Sequence, residues 1–406
     1  MMRREEPGRQ RDTFRVGPEL LKGEYAPAKR ERPPSKIIAI VGPSAASLAV
    51  AAGPLIHEIT SRGNQVLCFA PTLDRVSERT FARLSAEFRE LPGFRQGFSP
   101  LADHRSVFRL ARAFRELRPD IVVGYSPKGA VLSGLAGRLA GVKRHIAMIN
   151  ELGRAFAEAP DRSSVPALRM QRSLLQLAFR VSDTAVFFNE ENYKLLHQHG
   201  ILPPRLRQFP MNSGGIDLRH FPQAPLPPLD RGVMFLFAGP LDRRLGIAEY
   251  CEAARILNVK PGNYKCLVAG PEITGASAFP LSELKRYRDS VQYLGPQADP
   301  RPYMARTHVF VLPARGDAIP QALIEAIAMG RPVITSTSRG CRVVVREAGN
   351  GLLVRPGDAP ALAGAMARLL QRPDLIPSMA RASRQLAESQ FDSRRINALL
   401  LSALDL

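Results

Sequence analysis

The chain has 406 residues, 45% hydrophobic and 23% charged, which is enough apolar material for two cores and argues against wholesale disorder. Lys and Arg number 57 against 37 Asp and Glu; the net charge of +20 implies an acidic partner such as nucleic acid, a phosphate-bearing substrate or an anionic membrane face. No run reaches the roughly 20 apolar residues of a membrane span, and the four cysteines form no CxxC or Cys/His pair, so neither a spanning helix nor a zinc site is expected.

Residues 1–35 mix both charges with Pro and Gly and lack periodicity, so they read as a disordered basic extension. The first fifteen are charged with no apolar stretch behind them, unlike a secretory signal. From Lys36 the pattern changes. KIIAIVG, NQVLCFAP, DIVVGY (120–125), KRHIAMIN (143–150) and TAVFFN (184–189) are continuous apolar runs separated by helical stretches. Unalternating strands between helices predict a parallel sheet covered on both faces. Cys68 and Cys266 fall inside such runs and read as reduced core residues.

Within the second of the intervening stretches, His104 to Arg118 interleaves Arg105, Arg109, Arg112, Arg115 and Arg118 with Val107, Phe108, Leu110, Phe114 and Leu117. At helical spacing this is an apolar stripe flanked by Arg. It suits either a solvated helix of the layer or one lying on an anionic membrane. Arg162, Arg169, Arg172 and Arg180 add charge to the same half.

The segment 218–231, with Pro222, Pro225, Pro227 and Pro228, reads as a linker. Strand-like runs then resume with VMFLFAG, YKCLVAG, SVQYLG, THVFVLP, RPVITST and NGLLVRP. The boundaries are therefore a first Rossmann-like domain at 36–217, a second at 232–390, and a closing amphipathic helix at 391–406 that suits either domain. Ligands of open parallel sheets sit beyond the carboxyl ends of the strands, which puts the functional residues on loops facing an interdomain cleft.

The densest chemistry lies between Thr307 and Asp358. THVFVLP leads through PARGDAIP into the helix QALIEAIAMG, with Pro320 at its start and Gly330 at its end. Asp317 in the loop and Glu325 in the helix are spaced to share one cleft, and a carboxylate there can accept hydrogen bonds from a sugar or ribose diol. The turn Ser338-Arg339-Gly340-Cys341-Arg342 opens a further helix, whose N–H groups and nearby Arg make a cradle for a diphosphate.

The run GDAIPQALIEAIAMGRPVITSTSRGCRVVVREAGNGLLVRPGD resembles the E-x7-E region of family-4, or group 1, GT-B glycosyltransferases. The likeness to the branch that builds bacterial surface polysaccharides extends over residues 36–405. It implies the α/β GT-B architecture, with a nucleoside-diphosphate sugar, UDP- or GDP-linked, on the second domain and a lipid-linked or glycan acceptor on the first. It also implies retention of configuration, with neither metal nor cofactor. By position, Glu325 would bind the ribose hydroxyls, Asp317 the donor sugar, and Pro320, Gly340, Cys341 and Arg342 would border the nucleotide sugar. Lys128 of GYSPKGA, with Tyr125 and Asn150, would stand on the acceptor side.

The sequence departs from the family around the same cleft. Where the family has an Arg and then a Lys before Gly, GPLDRRLG places Pro240 and Leu245, leaving Arg243 and Arg244 as substitute cations. Ala51 to Pro54, Asn150-Glu151 and Val343 are further departures. Two readings follow: an active hexosyl transferase with a remodelled diphosphate site, or a degenerate relative serving as a binding or partner subunit. A cytoplasmic place, peripheral on the inner face of the plasma membrane, fits either. With no zinc finger, RNP-like aromatics or basic heptad region, nucleic acid is not expected as a partner.

Overall fold

A computed structural model describes residues 35–91, 100–150, 152, 165–212, 215–258, 263–297, 299–316 and 318–406. Residues 1–34, where the extension is expected, lie outside it, as do Glu151, Arg162 and Asp317.

Residues Lys36–Leu406 form one compact unit built on two parallel sheets. The first runs β3-β2-β1-β4-β5-β6-β7, from β1 (Ile37–Val41), β2 (Gln65–Ala70), β3 (Glu87–Glu90), β4 (Ile121–Tyr125), β5 (Arg144–Ile149), β6 (Thr184–Phe187) and β7 (Arg207–Pro210). The second runs β10-β9-β8-β11-β12-β13, from β8 (Val233–Ala238), β9 (Tyr264–Ala269), β10 (Gln292–Tyr293), β11 (Val309–Leu312), β12 (Val333–Ser336) and β13 (Gly351–Val354).

The apolar runs are continuous because both faces of each sheet are covered. In β1, Ile38 and Ile40 enter one cluster while Ala39 and Val41 enter another on the opposite face. Helices Pro100–Leu117, Pro127–Ala140 and Val165–Val181 cover the second of these faces. Two strands did not stand out in the sequence: β3 (EFRE) and β7 (RQFP) close the two edges of the first sheet, where polar residues are tolerated and useful.

The linker is strapped to the second sheet. Arg331, fully buried, donates to the carbonyls of Thr307 (3.1 Å), Ala224 (2.6 Å) and Pro225 (2.9 Å), and burial lowers its pKa to about 10. Arg384 holds the Phe221 carbonyl at 3.1 Å. The closing helix Ser393–Leu404 crosses back: Ile396, Leu400, Leu401 and Leu404 pack into the core of the first sheet. Its terminal Asp405 pairs with Arg144 and with Arg207 (3.3 Å).

Candidate functional site: the cleft between the two sheets

The carboxyl ends of the strands bring both halves together around a cleft of 180 Å³. From the first sheet come Tyr125 at the end of β4, Asn150 after β5, Phe188 after β6, and the turn carrying Val50, Ala51 and Pro54. From the second come Ala318, Ile319 and Gln321, at the start of helix Gln321–Ala328. Residues 48–52 form a π-helical turn, a local widening that recurs at functional sites, and it leaves Val50 72% exposed. Sequence reasoning did not single out Val50, Phe188 or Ile319, since lone apolar residues beside turns and strand ends carry no marker of a pocket wall.

Pro320 is the N-cap of the Gln321–Ala328 helix, and Gly330 follows its end with a left-handed φ of +72°. Glu325 lies one turn beyond the cleft-lining Gln321 on the same helical face. Its carboxyl is pushed up to about 7, first by burial and then by the charge of Asp299, with Arg301 opposing. Arg301 is itself occupied by Asp299 (2.8 Å) and by the carbonyl of His220 (2.9 Å). Burial therefore favours the protonated Glu325 side chain as pH falls below 7.

On the first-sheet side of the cleft, Tyr125 is buried against Phe188, with ring centroids 5.9 Å apart, and burial raises its pKa. The Asn150 Oδ1 is buried with no hydrogen-bond partner. Lys128 does not line the cleft. Its Nζ sits 2.7 Å from the buried Asp103 carboxylate on helix Pro100–Leu117, so its charge is neutralised within the fold. It follows Ser126, whose φ of +110° is strained for a non-glycine residue; its Oγ accepts the Gly129 N–H at 3.1 Å.

The expectation of free N–H groups at the Gly340 turn needs correction. Gly340 donates to the Gly316 carbonyl (3.1 Å), and Cys341 and Arg342 both donate to Ser338 (3.0 Å each). The helix Arg339–Arg342 is a single turn that closes on its own cap. The Cys341 side chain is buried, with Sγ 3.6 Å from the Ala314 carbonyl. Arg342 reaches across to the first half, where its guanidinium lies 3.2 Å from Glu191, and the Asn189 Nδ2 donates to the Arg339 carbonyl at 3.4 Å. The turn thus ties the halves together.

Arg243 and Arg244 are also committed. Arg243 pairs with Glu283 and stacks on Phe279, 5.0 Å from the ring centroid, while Arg244 folds onto Asp242 at 2.5 Å. Neighbouring backbones approach very closely here. A Cβ on Gly270 would lie 1.8 Å from the Gly239 carbonyl oxygen, so the ends of β8 and β9 admit only glycine at 270.

Two family models match consecutive parts of this architecture. The model described as "Glycosyl transferase 4-like domain" matches residues 47–212, and "Glycosyl transferases group 1" matches residues 232–372. The chain belongs to the group 1 glycosyltransferases. As a member of that family it is similar to the N,N'-diacetylbacillosaminyl-diphospho-undecaprenol alpha-1,3-N-acetylgalactosaminyltransferase of Campylobacter jejuni, 22% identical over 87% of this chain and 94% of the relative. It is also similar to the UDP-Gal:alpha-D-GlcNAc-diphosphoundecaprenol alpha-1,3-galactosyltransferase of Escherichia coli, 23% identical over 69% of this chain and 73% of the relative. Among solved structures, HepE of Anabaena in complex with UDP matches with a TM-score of 0.73 at 16% identity, over 91% of this chain and 99% of that one. The fold is accordingly GT-B. Among the described residues no helix is long and apolar enough to cross a membrane.

Proposed function

We propose that this glycosyltransferase moves a sugar from a nucleoside-diphosphate donor, UDP- or GDP-linked, to a lipid-linked glycan in bacterial surface-polysaccharide synthesis, with retention of configuration. The observation that carries the proposal is the cleft. One wall belongs to the half that matches the glycosyl transferase 4-like domain and presents Tyr125 and Asn150, and the other leads from residues 318–321 to the helix that carries Glu325. The two relatives named above act, by their names, on undecaprenyl-diphosphate-linked sugars, and HepE is described in complex with UDP.

In this reading the Glu325 carboxylate accepts hydrogen bonds from the two ribose hydroxyls, which favour its charged form. Asp317 is assigned to the donor sugar by the family resemblance, and Pro320 with the Gly340–Arg342 turn borders the diphosphate. Charge developing on the leaving diphosphate needs cations. Those nearest in sequence to Pro240 and Leu245, namely Arg243 and Arg244, are held by Glu283 and Asp242, so they must leave these carboxylates to serve. Arg342 would likewise leave Glu191. The acceptor's diphosphate and first sugar lie against Tyr125 and Asn150, and reaction at a lipid-linked acceptor places the enzyme peripherally on a bilayer. No cofactor or metal enters the scheme.

The test is calorimetry with UDP and GDP, followed by transfer from their sugars to a short-chain prenyl-diphosphate glycan. Binding of one nucleotide, lost in Glu325→Ala, together with transfer, is the expected result. The second reading is a nucleotide-sugar-binding partner without turnover; binding unaccompanied by transfer or donor hydrolysis would establish it. Failure to bind either nucleotide overturns both.

A further inference from the structure

We infer that the face formed by the helices Pro100–Leu117, Pro127–Ala140 and Val165–Val181 docks on an anionic lipid bilayer. The three helices lie side by side on one face of the first sheet, since the middle one packs against each of the others. Their inner sides fill the core through Leu110, Phe114, Val131, Leu132, Leu175 and Phe179.

The outer sides carry two things that a solvated layer does not need together. The first is charge of one sign. The Pro100–Leu117 helix exposes Arg105, Arg109, Arg112 and Arg115, the middle helix exposes Arg138, and Val165–Val181 exposes Arg169, Arg172 and Arg180. Among the described side chains of these helices the one exposed acid is Glu116, already paired with Arg112 at 3.0 Å. The second is apolar surface. Phe108 is 54% exposed, Leu139 49%, Met170 45% and Leu177 36%. These are most of the large hydrophobic side chains that stand out in solvent among the described residues, and they sit on three adjacent helices.

Interspersed arginine and exposed aromatic or aliphatic side chains fit the boundary between lipid headgroups and acyl chains. Arg pairs with phosphate while its stem, and the apolar neighbours, enter the lipid. A nucleic acid would use the arginines and leave the apolar side chains without a role. The helix Pro127–Ala140 begins immediately after Tyr125, so the docked layer is continuous with the acceptor wall of the cleft. The link from this surface to the reaction rests on the lipid-linked acceptor proposed above; the docking itself does not.

The experiment is co-sedimentation of the full chain with vesicles of phosphatidylcholine alone and with one third phosphatidylglycerol, at low and high salt. Two variants accompany it, Arg105→Glu/Arg169→Glu/Arg180→Glu and Phe108→Ser/Met170→Ser. Nucleotide binding on the second sheet serves as the folding control for both, and the wild type without nucleotide binding but with vesicle binding would count against the transferase reading and not against this one. Expected are preferential binding of the wild type to anionic vesicles, weakened by salt, a loss of at least roughly tenfold in the charge variant, and a several-fold loss in the apolar variant at unchanged charge. Equal binding to neutral and anionic vesicles, no vesicle binding, or retention by duplex RNA that the apolar substitutions leave untouched would each overturn the inference; the last would assign the face to nucleic acid.

Discussion

At the scale of single residues, Glu325 carries the most specific prediction. Its carboxyl titrates near 7 in the folded protein against 4.5 in a model peptide, so the folded state holds the proton more tightly. The corresponding stability is complete below about pH 4.5 and is lost as pH rises through 7, an effect with an upper bound on the order of 3 kcal/mol. Glu325→Gln should therefore flatten the pH dependence of urea unfolding between pH 5 and 8. Ribose hydroxyls favour the charged carboxylate, so affinity for UDP- or GDP-sugars should rise from pH 6 to 8 in the wild type and stay level in the Gln variant. Titration calorimetry at several pH values checks both expectations. A second residue-level test concerns the cations that the family resemblance implies at positions 240 and 245. Pro240→Arg with Leu245→Lys restores charge beside Gly239 and Gly246 and should raise kcat by roughly ten- to a hundredfold if diphosphate neutralisation limits the rate, measured as release of UDP or GDP.

Among the elements, the linker shows how an apparently featureless segment is fixed. Its prolines remove donors, so its carbonyls must find partners elsewhere, and the wholly buried Arg331 supplies three hydrogen bonds to Thr307, Ala224 and Pro225. Arg331→Leu would strand those carbonyls and should cost about 3 kcal/mol in urea unfolding while nucleotide affinity at low denaturant changes little. The proline cluster made the linker legible in the sequence, but its anchor was not, because Arg331 follows the Gly330 cap and reads there as a surface cation. The reverse happened at the Gly340 turn. Glycine and a following Arg signalled an anion cradle, yet the one-turn helix spends its N–H groups on Ser338 and Gly316 and lends Arg342 to Glu191.

Across the whole molecule, the closing helix Ser393–Leu404 decides how the two halves stay joined. It follows the second sheet in the chain but buries Ile396, Leu400, Leu401 and Leu404 in the core of the first. Leu400→Ala should cost roughly 3 kcal/mol, and hydrogen exchange should register the loss in β1, β2 and the Gly53–Ser61 helix before it appears in the second sheet. A loss confined to the second sheet would contradict this packing. With Asp405 drawing together Arg144 and Arg207, the chain returns to its first half after completing the second sheet.

What the sequence determined by itself was the layered α/β plan and the family. Strands buried on both faces, such as β1, β4 and β8, must be apolar throughout, and the run from Gly316 to Asp358 carries the family resemblance. The polar edge strands β3 and β7 escaped because an edge needs no apolar alternation. The three residues expected on the first wall of the cleft differ in where they point. Tyr125 and Asn150 do line the cleft, whereas Lys128, one turn further on, is turned inward to Asp103. Which wall Val50 and Phe188 join, which carboxylates hold Arg243 and Arg342, and which core receives the last helix were left to the tertiary structure. Those outcomes depend on partners tens to hundreds of residues away, and no local pattern encodes a partner that only folding brings near.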